Sequence, residues 1–464
     1  MRREIRIPKY QLENIIKVYN LDFEDKKLLF QEFNNFIPQT SVRHFIKEIS
    51  KRTKFPVDLL QNFFWFSHDM YILFLENGES YSEFFNNIIK PHIEYEYPEI
   101  KENVENFEDL EKFFSHLINL IDFEYFKVRN LDGINQINIG FSNIVSLYIF
   151  NINNNVVLID AGYSMQYWKN AFYKALSELK INLKEIDYCI ITHEHPDHTG
   201  LVADLKRANP EVKICLHKIA HELAKLRLKL YINNSIEETA KKRGNLLIKY
   251  GLPKEEVDLM IQPFGMGFDY VEPNLLLNDN DKIVDGELQI IHSPGHSVGH
   301  ICVYYPREGI IFSGDHILSK ITPHLGTLAI PGASEFNKKN NFENILEHYL
   351  RSLDRIDKLN SKIILPGHEQ IIYYPHERIT AIKNHHQNRL FDISRIIKNN
   401  PMPPFQIALN HFGDDLDQMN KILAISETLV HLDYLEFQNI VHKIEKDGMV
   451  LYWSEKPWKK IKYK

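Results

Sequence analysis

Residues 190–200 read Ile-Ile-Thr-His-Glu-His-Pro-Asp-His-Thr-Gly, and the six positions from His193 to His198 hold three imidazoles and two carboxylates. Neutral imidazole and carboxylate are good ligands for zinc and similar divalent cations. A tight turn after an apolar strand can aim alternate side chains at one point. A solvated histidine-rich loop has the same composition, so the choice turns on the rest of the chain.

Four further segments favour a metal centre. The apolar run 156–159 ends in Asp160, Ala161 and Gly162. Residues 292–300 place His292, His296 and His300 around a Pro294-Gly295 turn. The runs beginning at Ile310 and Ile363 end in Asp315 and His368. Each is a hydrophobic strand, or a turn beside one, that finishes on a ligand-type residue. In layered α/β proteins such strand ends are where site residues converge.

Five such ends in this order resemble the metallo-β-lactamase superfamily of dinuclear metallohydrolases, over about residues 135–375. The resemblance implies an α/β fold, the four-layer αββα sandwich. It also implies that His193, His195 and His296 hold one metal, Asp197, His198 and His368 the second, with Asp315 bridging. The absence of thiolates from these positions favours two zinc ions, with manganese or iron as alternatives. Two cations about 3.5 to 4 Å apart lower the pKa of a shared water from about 15.7 to near neutrality, which would supply hydroxide as nucleophile.

Within this frame Asp197 can also shuttle a proton, and Asp160 fits as the acceptor that fixes the tautomer of a ligating imidazole. Glu194 points away from its neighbours if the run is extended. Position 195 carries histidine where oxygen-reducing diiron relatives carry a carboxylate, which favours hydrolysis over redox chemistry. His292 and His300 flank the third motif as candidate supports, and His324 lies on the loop leading out of Asp315, although a lone histidine is more often structural.

The chain is 464 residues long with 44% hydrophobic and 25% charged residues, so two or three domains are expected. Residues 1–126 read as a helical N-terminal domain without a chemical motif. In it Val104, Phe107, Leu110, Phe114 and Leu117 recur at helical spacing opposite Glu105, Glu108, Asp109 and Glu111. The aromatic cluster Phe63 to Phe66 reads as core. Residues 127–375 form the metallo-β-lactamase-like domain, entered by a hairpin turning at Asn153-Asn154-Asn155, with a helical, Lys-rich insertion at about 201–261. Lys225, Arg227 and Lys229 there read as a wet helix face rather than a substrate contact. Residues 376–464 form a helical C-terminal segment that resembles a small winged helix, followed by a basic tail around Trp458.

The net charge of −7 argues against a broad nucleic-acid-coating surface. Cys189, Cys215 and Cys302 have neither disulfide nor zinc-knuckle spacing and read as core residues. With no apolar leader after Met1 and no run long enough to span a bilayer, a cytoplasmic protein without membrane contact is expected. The leading functional expectation is a hydrolase of small esters, thioesters or lactones, similar to the glyoxalase II-like branch. A single-strand endoribonuclease, using the C-terminal segment and Trp458 on RNA, and a non-catalytic regulatory protein are the alternatives.

Overall fold

In a computed structural model of the chain, residues 9–34, 46, 49–57, 59–60, 84–104, 106–121, 126–140, 144–232, 236–260, 270–325, 333–416 and 418–463 are described. The Phe63 to Phe66 cluster lies outside them. The chain divides into two compact units, one built from residues 1–128, 137–144 and 165–180, the other from 129–136, 145–164 and 181–464.

The first unit contains helices α1 (Lys9–Tyr19), α2 (Phe23–Asn34), α3 (Phe107–Ile121) and α4 (Gln166–Glu178). At the start of α3, Asn106 Oδ1 accepts the Glu108 N–H at 2.9 Å, which satisfies one otherwise orphan donor. The helix then buries Leu110, Phe113 and Phe114 and leaves Glu108 and Lys112 paired in solvent. In α4, Trp168, Ala171, Phe172, Ala175 and Leu176 form the buried stripe, at the spacing of one helical face.

The second unit is built on two sheets. The larger runs β1 (Phe126–Leu131), β2 (Ile134–Ile139), β3 (Val145–Ile152), β4 (Asn155–Ile159), β5 (Ile186–Ile191), β6 (Lys213–His217) and β7 (Leu275–Leu277), in that spatial order. β3 and β4 form the expected hairpin, whose turn residues Asn153 and Asn154 sit at φ 48° and 65°. That left-handed pair is what a two-residue hairpin turn requires, and asparagine tolerates it. From β4 to β7 the pairing is parallel.

The smaller sheet holds β8 (Lys282–Ile283), β9 (Leu288–His292), β10 (Ile301–Tyr305), β11 (Ile310–Gly314) and β12 (Ile363–Pro366). Side chains alternate across it as the strand period demands. Ile301, Val303, Tyr305, Ile310 and Phe312 face a core shared with Tyr148, Phe150, Val157 and Ile159 of the larger sheet. Phe150 stacks on Phe312 there, with centroids 5.1 Å apart and planes 4° from parallel. Cys302, Ile311 and Ile364 face the opposite way, into a second core with the helices.

The helices that follow in this unit are α5 (Pro196–Thr199), α6 (Val202–Ala208), α7 (Lys218–Ile232), α8 (Ile236–Lys249), α9 (Lys254–Met260), α10 (Ala333–Lys339), α11 (Ile345–Asp357), α12 (Pro375–Ile396), α13 (Pro404–Phe412) and α14 (Gln418–Phe437). Tyr349, Leu353, Ile382, Leu390, Ile425 and Leu432 bring α11, α12 and α14 into the second core. The hairpin β13 (Val441–Lys446) and β14 (Met449–Ser454) follows α14.

One sequence expectation shifts. The stretch 201–261 is not helical throughout, because Lys213–His217 joins the larger sheet alongside β5. Helix α11 begins at Ile345, after Asn344 accepts the Glu347 N–H at 3.1 Å. The helical C-terminal segment includes the 20-residue α14. No helix among the described residues is long and apolar enough to cross a membrane. All three cysteines are buried and unpaired, as free thiols in a core should be.

Candidate metal centre

The loop after β5 carries the central motif, and its far side is held by Asp160. That residue ends β4 in the left-handed region, at φ 61°. There its buried carboxylate accepts from Thr192 N (2.7 Å) and Thr192 Oγ1 (2.9 Å), and meets His198 Nδ1 at 2.8 Å. Because a carboxylate only accepts, His198 Nδ1 carries a proton, and Nε2 is the nitrogen left to face the cluster. Asp160 is therefore one step removed from the ligand cluster and positions His198.

The same logic assigns the other rings. Thr192 Oγ1 gives its proton to Asp160, so His193 Nδ1, 3.1 Å away, donates to that hydroxyl and leaves Nε2 bare. His296 Nδ1 donates to the His324 carbonyl at 2.8 Å, again leaving Nε2 bare. Both Nε2 atoms lie 2.9 Å from His195 Nδ1. Lone pairs converging this closely repel one another unless a cation sits among them, and His193, His195 and His296 together form a group that could hold one.

Asp197, His198, Asp315 and His368 form a second such group. His368 Nε2 lies 3.4 Å from both Asp197 Oδ2 and Asp315 Oδ2, and His198 Nε2 lies 3.4 Å from Asp315 Oδ1. Asp315 Oδ2 is also 3.4 Å from His296 Nε2, which places this carboxylate between the two groups. His198 Nε2 and Asp315 Oδ1 are buried with no hydrogen-bond partner among the described residues. Such orphaned atoms fit a divalent ion. A Cβ at Gly367 would come within 2.8 Å of both Asp315 Oδ1 and His198 Cε1, so only glycine leaves this cradle open.

Electrostatics divides the groups. Burial, reinforced by the neighbouring imidazoles, pushes His193 and His195 well below the usual histidine range, so both are neutral at pH 7. Burial also acts to lower His198 and His368, but the surrounding carboxylates overcome it. His198 ends well above its ordinary value and His368 is pushed up to about 10. Burial would raise Asp197 and Asp315, yet the imidazoles hold both well below the carboxylate range. The second group thus demands positive charge, which protons or a cation can supply.

The flanking histidines have supporting positions. His300 Nε2 accepts the Asp315 N–H at 3.1 Å, and its Nδ1 meets Ser293 Oγ at 2.9 Å. His292 donates through Nε2 to the Val298 carbonyl and stacks on His217, with centroids 4.2 Å apart. His324 meets the cluster through its backbone. Arg378 donates to the Leu318 and Ile321 carbonyls at 2.5 and 2.6 Å, holding the loop between Asp315 and His324.

Other expectations are corrected here. Arg227 is not on a solvated face: its side chain is 20% exposed and reaches the buried Glu194, while Lys225 and Lys229 are exposed. Trp458 is committed internally, donating Nε1 to Gln387 Oε1 at 2.8 Å with its ring edge on Tyr434. A third buried group, His386, Glu427 and His431, went unread. The i,i+4 spacing of Glu427 and His431 was its only sequence signal. His431 Nδ1 donates to the Glu427 carbonyl, His386 Nδ1 meets His431 Nε2 at 3.0 Å, and Arg389 pairs with the Glu427 carboxylate at 2.5 Å. A guanidinium already neutralises the one charge a cation would need, so this group is a buried polar network.

Two packed sheets with imidazoles and carboxylates gathered on strand-end loops form an arrangement that could hold metal ions. Residues 140–368 match the model of the metallo-beta-lactamase superfamily, and the chain belongs to that superfamily of metal-binding hydrolases. It is similar to a probable metallo-hydrolase of Bacillus subtilis, 25% identical over 65% of this chain and 91% of that protein. It is also similar to an atrochrysone carboxyl ACP thioesterase of Emericella nidulans, 22% identical over 75% of this chain and 89% of that one. Among solved structures it resembles a metallo-beta-lactamase family protein of Thermus thermophilus, with TM-score 0.55 and 25% identity, over 70% of this chain and 99% of that chain.

Proposed function

We propose that this chain hydrolyses a small acyl thioester, ester or lactone at a dinuclear metal centre, with zinc the first candidate. The observation that carries the reading is the position of Asp315 between two ligand groups, within 3.4 Å of His296 on one side and of His198 and His368 on the other. The donor set of imidazoles and carboxylates without thiolate suits hard or borderline divalent ions. The relative named as a thioesterase supports an acyl substrate.

In this reading His193, His195 and His296 hold one ion and Asp197, His198 and His368 the other, with Asp315 shared. Bound there, the ions would supply Lewis acidity toward the substrate oxygen and toward water. The chain's own part is orientation and proton handling. Asp160, Thr192 and the His324 carbonyl lock the tautomers that direct His198, His193 and His296 inward. Asp197 has a side chain 16% exposed at the mouth of the cluster, where its carboxylate can take a proton from water and pass it to the leaving group.

The test is a panel of acyl thioesters, esters and lactones assayed with metal-loaded and chelator-treated protein, beside single-stranded RNA. Turnover of an acyl substrate that vanishes on chelation and returns with zinc is expected. His193→Ala should cost well over tenfold in activity, since even a residue behind a ligand is worth 10- to 100-fold in metal affinity or activity. Cleavage of RNA with no acyl turnover would overturn the reading.

A further inference from the structure

Glu194 stands between the ligands His193 and His195, yet it is 1% exposed and turned away from them. An extended chain sends successive side chains to opposite faces, so two imidazoles pointing inward require the carboxylate between them to point outward. There it accepts a hydrogen bond from Ser297 Oγ at 2.8 Å. Ser297 follows His296 directly. One bond therefore ties the two loops that carry the three-imidazole group, a single residue from a ligand on each side.

The third member comes from α7. Arg227 donates through Nη1 to the Glu194 main-chain carbonyl at 3.4 Å and holds Nη2 3.6 Å from Glu194 Oε1. A buried carboxylate needs a compensating charge, and Arg227 is the cation that reaches it. The brace matters most for His195. His193 and His296 are each oriented by a bond from the outer ring nitrogen, to Thr192 and to the His324 carbonyl. Both contacts of His195, by contrast, use the inward Nδ1. Its ring direction rides on the backbone that Glu194 anchors.

We infer that Arg227, Glu194 and Ser297 form a positioning brace that sets the His193/His195/His296 face for its metal ion. The inference rests on the metal-centre reading above. It gives the helical stretch containing α7 a direct hold on the site.

Cobalt titration of the metal-free full-length protein, followed by visible absorption, tests it. E194Q, S297A and R227Q should each weaken the ion held by the three imidazoles about 10- to 100-fold and leave the ion on the Asp197 side unchanged. R227K should restore most of the loss, because it returns the charge. The double variant E194Q/S297A should be no weaker than the worse single one, since both act on the same contact, one by removing its charge and the other its donor. Wild-type affinity at both sites in E194Q and S297A overturns the brace alone. Equal weakening of both sites together with a lowered thermal midpoint also overturns it, since that is general loss of structure. An R227Q variant that raises KM for anionic substrates with unchanged cobalt binding overturns it by assigning Arg227 to substrate. A wild-type chain that takes up no cobalt overturns the metal-centre reading itself.

Discussion

Asp160→Asn isolates a support from a ligand. Asparagine is isosteric and tolerates the left-handed backbone at this position, so the turn at φ 61° should survive. One amide oxygen can still accept from Thr192, but the amide nitrogen now donates where a carboxylate oxygen accepted. With the amide oxygen kept on the Thr192 N–H, the amide nitrogen takes the Oδ2 position, and the Thr192 hydroxyl and His198 Nδ1, which both meet Oδ2 in the native protein, face a donor. The relief open to His198 is to move its proton to Nε2, the atom aimed at Asp315. That proton occupies the lone pair an ion needs. The expected loss is about 10- to 100-fold in affinity for the ion on the Asp197 side, or about 1.4 to 2.8 kcal/mol. Stability should also fall by about 1.5 to 3 kcal/mol, the worth of a hydrogen bond to a charged group. Calorimetric zinc titration of metal-free wild type and variant, with thermal unfolding alongside, measures both. A variant that binds both ions with wild-type affinity would refute the tautomer argument.

Gly367→Ala should abolish binding of the second ion while leaving the fold intact, because the added methyl meets Asp315 and His198 at 2.8 Å rather than the core; metal content after dialysis checks this. Phe150→Ala removes a ring stacked between the two sheets and should cost about 3 to 5 kcal/mol in denaturant unfolding with metal binding preserved in the folded fraction. His431 is fully buried, and burial lowers it to about 4 from an ordinary value of 6.5. The unfolded chain therefore binds more protons between these values. Stability should be full above about pH 6.5 and fall by up to about 3 kcal/mol as pH drops toward 4. Thermal scans of the metal-free protein should show this slope added to that of the other buried histidines, and His431→Gln should reduce it.

The strands of the second unit were legible where side-chain alternation met a turn of unmistakable chemistry. Ile144 to Phe150 followed by three asparagines is such a case, and Asn153 and Asn154 occupy the left-handed positions that make the hairpin. β6 was harder. Its five residues are too few to show a period, and helices precede and follow it. The length of α14 was hidden for a related reason: buried apolar residues surround the helix, with Ala424, Ile425, Val430 and Tyr434 on different sides, so no single stripe marks it. A helix buried on several sides loses the amphipathic signature by which helices are found.

The residues of the two groups could be read because imidazole and carboxylate are rare at the ends of apolar strands and have few structural uses there. Supports within the motifs, Asp160, His292 and His300, could be read with them, but those supplied by distant segments could not, because such support is a matter of spatial neighbours. Arg227 lies among Lys225 and Lys229 on a helix whose sequence alone reads as solvated, and only the fold sets it against Glu194. The partner of His296 is a main-chain carbonyl, a group every residue possesses, so nothing about His324 as a residue type announced its role. The same holds for Arg378, whose guanidinium takes two backbone carbonyls of the loop between Asp315 and His324. If the loop is what keeps the His324 carbonyl under His296, Arg378→Lys, with a single donor head in place of a planar fork, should lose one of those bonds and weaken the ion held by His193, His195 and His296. Cobalt titration should show that weakening while the ion on the Asp197 side keeps its affinity. Unchanged binding at the three-imidazole site would mean that the loop holds its shape without the guanidinium.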